Sequence, residues 1–235
     1  MSDRSLRLWG IATNRTMRAH WMLAELDLAY ETRPIGPRTG ETRSPEFLRL
    51  NPKHKIPLLE HGSFVVSESA AIIAYLSETF APREGLFVPG DTKRRAVLNE
   101  WCSFITMELD AGSLYVIRRH AQLANIYGEA PQAVESAKQY FSHQIECMMR
   151  RFAGDSATLM PEGLSIADIL LETCLDFALA LEIELPPPLL TYRERLTERP
   201  AYQRAFQVNY PGRPLPVFAD QQRQPRKSNA SGADK

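Results

Sequence analysis

An excess of either charge is missing from this chain of 235 residues: Lys and Arg total 28, and Asp and Glu total 28. Without the basic surplus that a phosphate backbone demands, nucleic acid is a poor candidate partner, and no acidic field is present either. An uninterrupted apolar run is missing too. The longest apolar stretch, Leu164 to Ile183, carries Asp168, Glu172, Asp176 and Glu182, charges too costly for a lipid-exposed span, so it reads as a buried helix and no membrane is expected. Behind the polar start Asp3-Arg4-Ser5 no apolar stretch of signal-peptide length follows, and the expected compartment is the cytoplasm. Cysteine is sparse. Cys102, Cys147 and Cys174 are widely spaced, fit no metal-ligand or redox-pair pattern, and read as reduced structural thiols, with no metal expected.

What is present is apolar content, 44% of residues, at a length where one core tends to split into two. Leu6 to Trp9 alternates and stops at Gly10, as a short strand does, and Met17 to Leu28 puts Met17, Trp21, Met22 and Leu26 on one helical face. Tyr30 to Ile35 reads as a second strand. Ser44 is placed to cap a short helix with Pro45 in its first turn. Lys55 to Glu60 and Ser63 to Val66 flank His61-Gly62, a two-residue hairpin signal. Ser67, Glu68 and Ser69 then precede an apolar helical run through Leu76.

The order strand, helix, strand, helix, strand, strand, helix, with a parallel first pair and a terminal hairpin, is that of a thioredoxin-like α/β domain, expected over residues 1–81. A Pro- and Gly-rich linker is expected at 82–92. Long helical segments from Lys93 to Leu123, Ala133 to Phe152 and Ser165 to Ile183, with shorter ones from Leu189 to Thr197 and Pro200 to Phe206, make residues 93–220 an all-α domain. Residues 221–235 read as a disordered tail.

Four motifs in order carry a family resemblance over about the first 210 residues. They are Leu8-Trp9-Gly10 followed by Arg18 and Trp21 to Leu26, then Asn51 to Leu59 around Ile56-Pro57, then Ser67-Glu68-Ser69-Ala70-Ala71-Ile72, and then Ser165-Ile166-Ala167-Asp168. Together they resemble the glutathione transferases, on their serine or theta-like bacterial branch. The resemblance implies glutathione as co-substrate, a cis bond at Ile56-Pro57, a γ-glutamyl-binding turn at Glu68 and Ser69, and a two-fold homodimer. It also implies a detoxifying transferase that activates the glutathione thiolate for attack on a small hydrophobic electrophile or peroxide. Two alternatives share the scaffold, a non-catalytic binding or interaction module and a glutathione-dependent isomerase or dehalogenase.

Glutathione is an extended peptide with two carboxylates, an ammonium and a thiol, so a strand edge must match its backbone and charges must meet both ends. In this reading Ile56 and Pro57 supply the edge, the amides at the helix start near Ser67 and the Ser69 hydroxyl take the γ-glutamyl carboxylate, and Glu68 takes the ammonium. Lys55 or His54 reaches the glycine carboxylate, with Arg38 and Arg43 as weaker candidates. The plainer reading is that Ser67 caps the helix and Glu68 complements its dipole.

A free thiol has a pKa of about 8.5, and lowering it by about two units takes about 2.7 kcal/mol, within reach of one charge-tolerant hydrogen bond and a helix N-terminus. Where the family places tyrosine, serine or cysteine, this chain has Ala12-Thr13-Asn14-Arg15-Thr16. Asn14, Thr13 and Thr16 are therefore the candidate catalytic donors, unless Thr13 or Asn14 only caps the first helix. The absence of cysteine there argues against thiol–disulfide chemistry. Phe104, Met107, Leu114, Tyr115 and Arg118, at helical spacing, are the candidate wall for the electrophile, or otherwise core. Ser165 and Asp168 read as a capping box that serves stability.

Overall fold

Alternation and turn chemistry build the first sheet. In the computed structural model, which describes residues 5–80, 85–151 and 157–215, strand β1 (Leu6–Trp9) pairs in parallel with β2 (Glu31–Arg33) and antiparallel with β3 (Leu58–His61). β3 turns back into β4 (Phe64–Ser67), giving the order β2-β1-β3-β4. The hairpin register pairs His61 with Phe64, so the two-residue turn is Gly62-Ser63, one position later than the expected His61-Gly62. The reason is backbone sterics: Gly62 has φ +58°, and the first position of such a turn wants a residue without Cβ strain.

Helices α1 (Asn14–Glu25), α2 (Pro45–Leu50) and α3 (Ser69–Thr79) complete the α/β part, with a single 3-10 turn at Glu41–Arg43. α2 begins as expected, with Ser44 accepting from the Phe47 amide and Pro45 opening the helix. α1 starts three residues before the expected Met17. Thr13 and Thr16 form a reciprocal capping box, which converts the expected loop at 14–16 into the first helical turn. α3 begins at Ser69, and Ser67 closes β4 instead of capping the helix; Glu68 holds the cap position at φ +74°.

The rest is helical: α4 (Thr92–Phe104), a π-helical stretch (Ile105–Leu114), α5 (Tyr115–His120), α6 (Ala124–Tyr127), α7 (Pro131–Arg151), α8 (Ile166–Ala180), α9 (Pro187–Thr197) and α10 (Pro200–Asn209). Of the expected linker, Leu86 bridges to Leu164 and the Phe87 amide donates to the Leu164 carbonyl at 2.6 Å. The expected tail at 221–235 lies outside the described residues.

α8 is the buried helix that the charged apolar run predicts. Asp168 accepts from the Leu159 and Ser165 amides, the Ser165 hydroxyl and the Tyr192 hydroxyl, each at 2.7 Å. Asp176 takes Arg193 and Tyr202. Glu172 is fully buried; burial and the neighbouring Asp176 charge push its carboxyl well above the usual range. Among the described residues no helix is long and apolar enough to cross a membrane. All three cysteines are free, and burial pushes the Cys102 and Cys174 thiols up to about 12, which leaves them unreactive.

One core joins the two parts. α1 packs on α3, α8 and α10; the ring of Trp21 meets that of Tyr202 edge-on at 5.1 Å, and Glu25 accepts two bonds from Arg199, at 2.7 and 2.9 Å. The second half of α1 is thus fixed against the helical part.

Candidate functional site

The first turn of α1 faces an open cleft between the α/β part and the helices. Its lining includes Thr13, Asn14, Arg38, His54, Lys55, Ile56, Tyr115 and Arg118, so eight of the residues singled out in the sequence meet at one place. Gly10 makes the approach possible. At φ +112° it brings the end of β1 so near the Ile56 loop that a Cβ there would lie 2.6 Å from Ile56 Cβ and 2.9 Å from Thr16 Cγ2. The Ile56–Pro57 bond is cis, and Pro57 is buried behind Ile56.

The three candidate donors differ in what they have left to give. Thr13 caps its own helix, its Oγ1 accepting from the Thr16 amide at 3.0 Å. Thr16 is fully buried and donates to Asn209 Oδ1 at 2.6 Å or to the Thr13 carbonyl at 2.8 Å, so it does not reach the cleft. Asn14 is anchored by one end only: its Oδ1 accepts from the Tyr210 hydroxyl at 2.8 Å, which leaves the amide nitrogen as a donor at the cleft. The Asn209 side chain donates to the Thr13 carbonyl at 3.0 Å, and the Ala12 amide donates to the Asn209 carbonyl at 2.8 Å. Ala12 itself sits at φ +65°, a strained conformation of the kind that clusters at functional turns.

Asp110, in the π-helical stretch, clamps α1 from the other side. Its carboxylate accepts from Arg15 Nη2 at 2.8 Å and pairs with Arg18 Nη2 at 2.8 Å. Burial pushes the Asp110 carboxyl up, and the Arg18 and Arg15 guanidiniums more than reverse this, holding it below the usual range. Arg18 is almost wholly buried and also donates to Thr173 Oγ1 and Ser69 Oγ. Arg15 lies over the Tyr115 ring, 4.9 Å from its centroid.

Glu68 and Ser69 stand beside the cleft, not in its lining. Glu68 is exposed and pairs with Lys53 Nζ at 2.7 Å, while Ser69 is buried and turned toward Arg18. Arg43 lines a neighbouring basic hollow with Arg38, Lys53, His54 and Lys55. Of the expected electrophile wall, Tyr115 and Arg118 line the cleft; Leu114 is fully buried core, Phe104 lines a separate groove with Trp101 and Met148, and Met107 is 64% exposed. The π-helical stretch explains the scatter. With i→i+5 pairing a helix holds about 4.4 residues per turn instead of about 3.6, so ten residues slip the face by about half a turn.

The cleft also contains residues that the sequence did not single out for this wall: Phe177, Tyr127 and Asp110. No spacing rule joins them, because they come from three separate helical elements. Among the described residues no group of three or more potential ligands is placed to hold a metal.

The comparisons with known proteins agree with this geometry. Residues 4–78 match the glutathione S-transferase N-terminal domain. The chain is 35% identical over 112 residues to glutathione S-transferase D7 of Drosophila melanogaster, spanning 47% of this chain and 48% of that one. It is 30% identical over 148 residues to glutathione S-transferase 2 of Anopheles gambiae, spanning 63% of this chain and 68% of that one. In fold it is similar to a glutathione transferase homolog from Lodderomyces elongisporus solved with two GSH per subunit, at a TM-score of 0.78, 22% identity and coverage of 87% of this chain and 99% of that one. A glutathione transferase from Methylococcus capsulatus gives a TM-score of 0.72 at 26% identity, covering 87% of this chain and 98% of that one. With the cis Ile56–Pro57 bond beside the head of α1, and relatives that share both the α/β and the helical part, the chain belongs to the glutathione S-transferase family.

Proposed function

We propose that this protein is a glutathione transferase of two domains, divided near residues 82–92, that activates the glutathione thiolate for attack on a small electrophile. One observation carries the reading: a single cleft holds the free amide of Asn14, the Lys55-Ile56 edge and the Tyr115-Arg118 wall. Glutathione lies along Ile56 and Pro57, its glycine carboxylate toward Lys55, His54, Arg38 and the more distant Arg43. Its γ-glutamyl end lies toward Glu68 and the first turn of α3 with Ser69. The sulfur faces the head of α1, where the Asn14 amide and the unpaired amides of the first turn stabilise the anion. The thiol proton leaves to solvent, the sulfur attacks the electrophile, and the leaving group departs on the side of Tyr115 and Phe177.

Thr13 and Thr16 act as positioning residues in this scheme, because their hydroxyls are committed to the helix cap and to Asn209. The same commitment favours a second reading, a module that binds glutathione without turnover. The subclass we assign is the serine or theta-like branch with asparagine in the donor position. We further propose a cytoplasmic homodimer, supported by the exposed Phe64 ring packed on Tyr75 at 4.7 Å beside α3. Calorimetric titration with glutathione, followed by an aryl halide assay on the same sample, tests the whole: binding with turnover supports the transferase, binding without turnover the module. No binding overturns both.

A further inference from the structure

The cleft carries more positive charge than glutathione can meet. Its lining holds Arg15, Arg38, Lys55 and Arg118 against one carboxylate, Asp110, and Asp110 is already shared with Arg18. Glutathione brings two carboxylates and one ammonium, and Lys55 and Arg38 lie on the side of the cleft where its glycine end runs. Arg118 is left over. It rises from α5 in the helical part, 5.6 Å from the centroid of the Phe177 ring, and its Nε is buried without a hydrogen-bond partner among the described residues. Burial, with Arg38 and Arg15 nearby, already disfavours its charge, and a buried guanidinium donor is costly to leave unmatched. Tyr115, Tyr127 and Phe177 border the same cleft, an aromatic lining suited to a flat ring.

Resting on the transferase reading above, we infer that the acceptor is an anionic electrophile, an aromatic or conjugated compound whose carboxylate pairs with Arg118 while its reactive carbon faces the glutathione sulfur. The residue thereby selects substrates and does not bind glutathione. For an aryl chloride the step is substitution: the C–S bond forms, the C–Cl bond breaks, chloride leaves with the bonding pair, and the thiol proton passes to solvent.

The test uses the full chain with saturating glutathione and two acceptors, 4-chloro-3,5-dinitrobenzoate and its methyl ester, each rate divided by its uncatalysed rate. A guanidinium–carboxylate bond supports a preference for the acid of about ten- to a hundredfold in kcat/KM, weakening as salt is raised. Arg118→Gln should bring the acid-to-ester ratio to within about threefold of one, and Arg118→Lys should restore part of it, with KM for glutathione unchanged in both. Turnover of the ester as good as that of the acid by the unmodified protein overturns the inference and leaves the transferase reading standing. So does an unchanged ratio in Arg118→Gln, or a raised glutathione KM without a change in ratio, which would assign Arg118 to the glutathione site. Turnover of neither acceptor overturns the transferase reading and the inference with it.

Discussion

Replacing Asp110 by Asn tests whether the clamp on α1 holds the site together. The change keeps shape and an oxygen acceptor but removes the charge that Arg18 and Arg15 share. Arg15 is 40% exposed, so water can replace what it loses. Arg18 is 2% exposed, and its remaining partners, Thr173, Ser69 and Cys174, are neutral. An uncompensated buried charge costs about 3–5 kcal/mol, and the retained acceptor puts Asp110→Asn near the lower end, about 3 kcal/mol. Denaturant unfolding at neutral pH reads it directly. The double variant Asp110→Asn with Arg18→Met removes both charges and should be more stable than Asp110→Asn alone, with a coupling energy of at least about 2 kcal/mol. Acid should act in the same direction. Because the Asp110 pKa is held below the usual carboxylate range, its contribution is present above the ordinary value of about 3.9 and is lost as pH falls through the lower, folded value. A loss below about 1 kcal/mol in Asp110→Asn, or simple additivity in the double variant, would refute the clamp.

Further outcomes follow from the same geometry. Asn14→Ala should raise the pKa of bound glutathione by about one unit, read from ultraviolet thiolate absorbance against pH, and lower kcat about tenfold; Thr13→Ala should act chiefly on stability, by about 1 kcal/mol through the lost cap. Glu68→Ala should weaken glutathione binding in calorimetry far more than Ser165→Ala, whose effect should appear in thermal melting; the reverse ranking would sink the γ-glutamyl assignment. Gly10→Ala should destabilise by more than about 2 kcal/mol, because its φ of +112° and the 2.6 Å approach to Ile56 leave no room for a methyl group. His20 is fully buried, with its Nδ1 paired to the Tyr30 hydroxyl and its Nε2 to the Gly10 carbonyl, and burial lowers its pKa to about 4. The stability of this neutral form is complete above about pH 6.5 and falls by up to about 3 kcal/mol toward pH 4. His20→Gln should flatten that part of the stability profile, and an unchanged slope would show that other groups carry it.

The sheet was legible because its signals are local. Alternation in Leu6 to Trp9, the glycine of the hairpin and the Ser44-Pro45 pair each act within a few residues. At the head of α1 the open alternative of a Thr13 cap is the one the structure takes, while the helix start was set three residues late because the capping box is Thr-x-x-Thr, not the Ser/Thr-x-x-Glu pattern that marks a helix start. The wall of the cleft was half legible. Tyr115 and Arg118 follow the π-helical stretch and Phe104 precedes it, so a constant 3.6 period joined residues that the chain then turned apart. Gly112 is the local trace of that stretch: a Cβ there would lie 2.8 Å from the Met107 carbonyl oxygen, five residues back. Asn209 and Tyr210 were not legible at all, since a side chain that meets a turn 196 residues away leaves no periodic mark.

Those unread contacts bear most directly on catalysis. The first turn of α1 is held from three sides: by Gly10 against Ile56, by Asp110 through Arg15 and Arg18, and by Asn209 and Tyr210 at the end of α10. A donor stabilises a developing anion best when it is aimed before the reaction begins and need not reorganise during it. Asn14 meets that condition because Tyr210 fixes its amide by the oxygen, leaving the nitrogen no role in the fold. The helical part therefore does more than provide a wall for the acceptor. In the proposed scheme it sets the orientation of the amide assigned to the sulfur, so loosening α10 should impair thiolate stabilisation without touching any glutathione contact proposed for the α/β part.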